Sequence, residues 1–195
     1  LYAHPNMIAQ AHDGEAEAWL KLMDQLTEGA SKGTQAIIPD QPLKDAQQIK
    51  VGDRTLRIYL SDWAHTKTDA MVEVVEESLL VTGDNVLYKR IARMDDASFR
   101  GNIAACRQAL DMNRKHYIVG HGPSGGTEVV KPFCTYLSTL YDNVSRLYDE
   151  GLSDFEMKEP IAESLSAYSD WPGFTDQLGR HISLALLEVE QAEFE

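Results

Sequence analysis

Three short stations constrain this chain more than any other feature, and each sits where an apolar run gives way to turn residues. They are Asp62-Trp63-Ala64-His65-Thr66, Thr82-Gly83-Asp84 and Gly120-His121-Gly122-Pro123. Strand ends present side chains to a shared site, so a fold that gathers these stations places two imidazoles beside a carboxylate. His and Asp suit a hard-to-borderline divalent metal. Equally telling is an absence: no His-x-His-x-Asp-His cluster occurs anywhere in the 195 residues. The chain looks like half of a metal site.

The segments between them alternate in period. Residues 6–30 carry Ala9, Leu20, Leu22, Met23 and Leu26 among Gln, Glu and Lys, with Gly29 as a stop, and predict a helix. Ala36-Ile37-Ile38-Pro39 predicts a short strand or turn. Gln48-Ile49-Lys50-Val51, the Gly52-Asp53 turn and the period-2 run from Thr55 to Leu60 predict a hairpin. Two further strands, 70–75 and 78–82, flank Glu76-Glu77, and the second is apolar throughout, as in a strand covered on both faces. Phe99, Ile103, Cys106 and Leu110 recur at helical spacing within 96–113, with Ser98 as the candidate cap. Tyr117-Ile118-Val119 predicts a last strand running into Gly120-His121-Gly122.

Beyond Gly126 the pattern turns helical. Phe133, Leu137, Leu140, Tyr141, Val144, Leu147 and Tyr148 form one apolar stripe, read as packing, that ends near Gly151. Ser153-Asp154-Phe155-Glu156 has the form of a capping box. After Trp171-Pro172-Gly173, a final helix carries Leu178, Ile182, Leu186 and Val189 on one face, with Glu188, Glu190, Glu193 and Glu195 expected on a solvated one. This change of pattern divides the chain into an α/β domain, 1–130, and a helical extension, 131–195.

A net charge of -13, from 31 acidic and 18 basic residues, repels phosphate backbones and argues against a nucleic-acid partner. No apolar run approaches the ~18 residues of a membrane span, and no signal peptide is recognisable. The expectation is a soluble protein of cytoplasm or periplasm with no membrane partner. The chain opens without Met in Leu1-Tyr2-Ala3-His4-Pro5, so a trimmed or processed N-terminus is expected. Cys106 and Cys134 are the only cysteines and read as buried, unpaired thiols. His4 reads as a capping or turn residue before Pro5, His12 and His116 as exposed, and His181 as an ordinary helix residue.

The order His, Thr-Gly-Asp, Gly-His-Gly, with strand–helix–strand between the last two, resembles the metallo-β-lactamase superfamily of metal-dependent hydrolases over residues 35–126. The resemblance implies an α/β fold: the C-terminal half of a four-layer αββα sandwich, followed by the helical extension. It implies that His65 completes one metal's histidine set, that Asp84 bridges two metals as the catalytic carboxylate, and that His121 completes the second set. Zinc, one or two ions in a complete protein, is the implied cofactor. The implied reaction is hydrolysis of an ester, thioester or amide-type bond in a small-molecule substrate, with a nucleophile made from water near neutral pH.

Two departures qualify the resemblance. The family usually has His-Thr-x-Gly at the first station, whereas this chain has His65-Thr66-Lys67-Thr68, a matter of backbone shape. The missing His-x-His-x-Asp-His cluster weighs more. In the family it lies upstream of the region where this chain begins, and Tyr2-Ala3-His4-Pro5 resembles the strand reached after it. On this reading the chain lacks the N-terminal half, binds metal weakly or not at all, and is inactive alone. The alternative is a non-catalytic, degenerate or truncated module acting through association. One sheet of a half sandwich has no partner, so Ile58, Val72, Val74, Leu80 and Val119 are expected to leave an apolar face uncovered. At ~25 cal/mol per Å2 its exposure costs several kcal/mol, which predicts a homodimer or association with the missing N-terminal half.

Overall fold

The computed structural model describes residues 1–194, so Glu195 of the expected acidic helix face lies outside the described residues. A short strand, β1 (Tyr2–Ala3), pairs in parallel with β2 (Gln41–Pro42), and α1 (Pro5–Gln10) and α2 (Ala16–Leu26) lie between them. His4 caps α1 as expected, its Nδ1 accepting from the Asn6 amide at 3.1 Å. Pro5 opens the helix, where its missing N–H costs nothing. The single helix expected over 6–30 is two, because Gly14 takes a φ of +104° and kinks the chain. Residues 36–39 are irregular, and pairing begins only at Gln41.

The main sheet has the order β3 (Gln48–Val51), β4 (Arg54–Leu60), β5 (Ala70–Val74), β6 (Leu79–Leu87), β7 (His116–His121). The first three pairings are antiparallel, beginning with the expected hairpin, whose turn holds Gly52 at a φ of +60°. β6 and β7 are parallel and joined by α3 (Phe99–Asp111), the crossover such a pair requires. Ser98 caps α3, its Oγ accepting from the Gly101 amide at 3.0 Å. β6 does not stop at Thr82. It continues to Leu87, and its register with β7 slips on either side of Gly83, so the second station lies inside an irregular strand rather than at its end.

Register sorts the side chains between two faces. Tyr59, Met71, Glu73, Leu80 and Tyr117 point to one, and Leu56, Ile58, Val72, Val74, Leu79, Val81 and Ile118 to the other. The first face packs under α3, α4 (Lys131–Asp149), α5 (Asp154–Ser164) and α6 (Phe174–Ala192) in one continuous core that includes Met71, Leu80, Phe99, Phe133, Leu137 and Ile182. Leu80 and Val119 were expected on the uncovered face but belong to this covered one, because the two-residue period sets them with Tyr117. On the other face Ile58 is also buried. Val72, Val74, Leu79 and Val81 are half-buried there, and Ile118 is 40% exposed.

The extension closes this core through its stripes. Phe133, Leu137, Leu140, Val144 and Leu147 are buried on α4, and the Ser153–Glu156 capping box starts α5. The expected solvated role of Glu188 needs correction. Its carboxylate accepts from the Phe99 and Arg100 amides at 2.7 and 3.1 Å, so α6 caps the first turn of α3 from across the core. His181 is fully buried, within 2.9 Å of the Tyr136 hydroxyl and 3.0 Å of the Ala92 carbonyl. Cys106 and Cys134 are free and buried. Among the described residues no helix is long and apolar enough to cross a membrane.

Candidate metal centre

His65 sits in the loop 61–69 between β4 and β5, and that loop is braced from three sides. The Asp69 carboxylate receives the Thr66 hydroxyl at 3.1 Å and the Thr66 amide. Burial raises the Asp69 pKa, and these Thr66 hydrogen bonds act against that rise. The Ser98 amide donates to the Ala64 carbonyl at 2.8 Å. Gly101 lets α3 approach so closely that a Cβ there would lie 1.7 Å from the Trp63 carbonyl oxygen. The His65 amide donates to Asn85 Oδ1 at 3.3 Å, while the Asn85 carbonyl takes Asn102 Nδ2 at 2.7 Å. Asn85 and Asn102 are fully buried, so the His65 backbone hangs from the core.

Asp84 reaches the same place from the middle of β6, and His121 from the last residue of β7. The carboxylate is divided between the imidazoles: Oδ2 lies 3.9 Å from His65 Nε2, and Oδ1 lies 3.6 Å from His121 Nε2. Gly120 makes room for it, since a Cβ there would lie 2.0 Å from Asp84 Oδ1. The side chains of His65, Asp84 and His121 are 19%, 42% and 54% exposed, so the group opens to solvent on the His121 side. All three predicted residues come together. His4, His12, His116 and His181 are employed elsewhere or lie exposed.

One carboxylate with a different imidazole at each oxygen is the donor arrangement of a bridge between two cations. Nitrogen and carboxylate oxygen suit zinc, so the residues fit it in kind. In number they give each ion one imidazole and one carboxylate oxygen, where a catalytic zinc takes about three protein ligands. Among the described residues, no group of three His, Cys, Asp or Glu side chains is arranged to hold one ion. His65 Nδ1 is buried without a protein hydrogen-bond partner, so the ring lacks the second support that orients metal-ligating histidines. Asn85, Asn102, Asp69 and Gly120 escape sequence reasoning as members of this site. Only Asn85, a polar residue directly after Asp84 on an otherwise buried strand, leaves a local signal.

No protein-family model matches the sequence, and no curated protein sequence does either. Solved structures do match. A metallo-beta-lactamase family protein from Thermus thermophilus aligns with 99% of this chain and 66% of its own at 14% identity, with a TM-score of 0.62. The DIM-1 metallo-beta-lactamase aligns with 71% of this chain and 57% of its own at 15% identity, with a TM-score of 0.52. The chain therefore has a metallo-β-lactamase-type α/β fold. It spans 66% and 57% of the lengths of these two structures.

Proposed function

We propose that this chain carries the bridging side of a two-zinc hydrolase centre and acts on an ester, thioester or amide-type bond of a small molecule once further ligands are supplied. The observation that carries this is the placement of His65 and His121 at opposite oxygens of Asp84. Zinc bound there would supply a Lewis acid and lower the pKa of water to near neutral. Asp84 holds the negative charge between the two positions. The Asn85 and Asp69 braces hold the backbone of the loop that carries His65, and His121 lies at the solvent side where a substrate arrives. With two donors for each ion, the chain alone holds metal weakly and is inactive.

The test is metal analysis of the purified chain together with assays on p-nitrophenyl acetate, a thioester and an anilide. The expected result is well under one equivalent of zinc and no hydrolysis above buffer. Stoichiometric zinc held through His65, Asp84 and His121 would overturn the half-site. In a completed protein, Asp84→Ala removes most activity.

A second reading has its own support, the half-exposed apolar face of Leu56, Val72, Val74, Leu79, Val81 and Ile118. In it the chain is a non-catalytic module that associates through this face, as a homodimer or with further polypeptide of the fold. Hydrolysis by a completed assembly, abolished by Asp84→Ala, separates the first reading from the second.

A further inference from the structure

Two of the three tryptophans face one cleft. Trp171 is buried in the core, whereas Trp19 and Trp63 are 59% and 41% exposed. They come from different elements, α2 and the loop 61–69, and line a cavity of about 570 Å3 with Glu15, Lys67, Asp95 and Asp96. That volume suits a small ligand. The Trp63 wall is held in place: Trp63 Nε1 donates to the Asp96 carbonyl at 2.8 Å, and Asn6 Nδ2 donates to the Lys67 carbonyl at 3.0 Å, tying α1 to the loop. The kink at Gly14 separates α1 from α2 and directly precedes Glu15 of the lining.

The charges select the occupant. The charged residues lining the cleft are Glu15, Asp95, Asp96 and Lys67, and Arg93 and Arg180 pair with Asp95 from outside that lining. An anion would meet three lining carboxylates on a chain of net charge -13. One cation already uses an aromatic wall, for the Lys67 ammonium lies 4.6 Å from the centroid of the Trp63 ring. Aromatic faces beside carboxylates are the chemistry that recognises quaternary and alkyl ammonium groups. We propose that this cleft binds an organic cation of that class, with Trp19 as its free aromatic face and Glu15 and Asp96 as counter-charges. The site stands apart from the hydrolase reading, since binding there needs neither zinc nor His65, Asp84 or His121.

The test follows the three indole N–H signals of the 15N-labelled chain during titration with phenyltrimethylammonium, and with benzoate at equal ionic strength. The cation shifts the Trp19 and Trp63 signals saturably and leaves Trp171 in place, while benzoate moves none of them. Trp19→Ala weakens binding about fivefold, the effect of losing one partly desolvated cation–π contact. Lys67→Met strengthens it about twofold by freeing the Trp63 face. An unmoved Trp171 signal in both variants reports an intact core. Absence of saturable shifts at Trp19 and Trp63, an equal response to benzoate, or weaker binding by Lys67→Met would overturn the proposal.

Discussion

Gly120 and Asn85 control the candidate centre without offering it a donor. At Gly120 an added methyl would lie 2.0 Å from Asp84 Oδ1 and 2.8 Å from the Gly83 carbonyl oxygen, so both carboxylate and backbone must shift. Gly120→Ala should therefore destabilise the fold by about 1–3 kcal/mol and displace Asp84, read as a lowered melting temperature and altered His121 ring signals. Asn85→Ala removes the acceptor of the His65 amide from a fully buried position. Its expected cost is also about 1–3 kcal/mol. His181 adds a pH dependence remote from the site. Burial lowers its pKa from 6.5 to about 4, so it stays neutral in the fold while the unfolded chain binds the proton. Its stabilising contribution is complete above pH 6.5 and is lost as pH falls toward 4, on the order of 3 kcal/mol in total. Urea titrations of His181→Gln across that range should show a flatter acid limb than the unmodified chain. An identical limb would assign the acid loss to other groups.

Among the elements, α3 depends on a residue about ninety positions away in the chain. Glu188 on α6 accepts the first amides of α3 beside the Ser98 cap. Glu188→Ala should cost about 1 kcal/mol, a drop of roughly 2–4 °C in a chain of this size, measured by calorimetry. Local signals made most of the elements legible in the sequence. Alternation and Gly52 gave the hairpin, the Ser98 and Ser153 caps marked two helix starts, and the glycines around the stations marked the site. Long-range effects were not legible. Nothing near Glu188 distinguishes a cap for another helix from a solvated acid. Leu80 and Val119 were misplaced because the face of a strand depends on its register with its neighbours, and that register sets Leu80 beside Glu73 and Tyr117 rather than beside Val72 or Val74. Glu73 is a third case. It is buried at 1% exposure, accepts from the Tyr59 hydroxyl at 2.7 Å and forms an ion pair with Arg114 Nε at 3.0 Å, partners that come from β4 and from the turn before β7.

For the whole molecule, one sheet face is covered by helices and the other is apolar and partly exposed. Association should bury the second, so sedimentation is expected to show a dimer at micromolar concentration, and Ile118→Lys should shift it to monomer. A monomer that binds no hydrophobic dye would show that this face is stable in water. The central claim is that His65, Asp84 and His121 form the bridging side of a two-metal centre. It is tested most directly by following the histidine ring nitrogens of the 15N-labelled chain during titration with zinc. His65 and His121 should shift together, weakly and without reaching stoichiometric binding, while His4, His12, His116 and His181 stay unchanged, and Asp84→Ala should abolish the response. Tight stoichiometric zinc would contradict the half-site, and shifts confined to other histidines would contradict the site altogether.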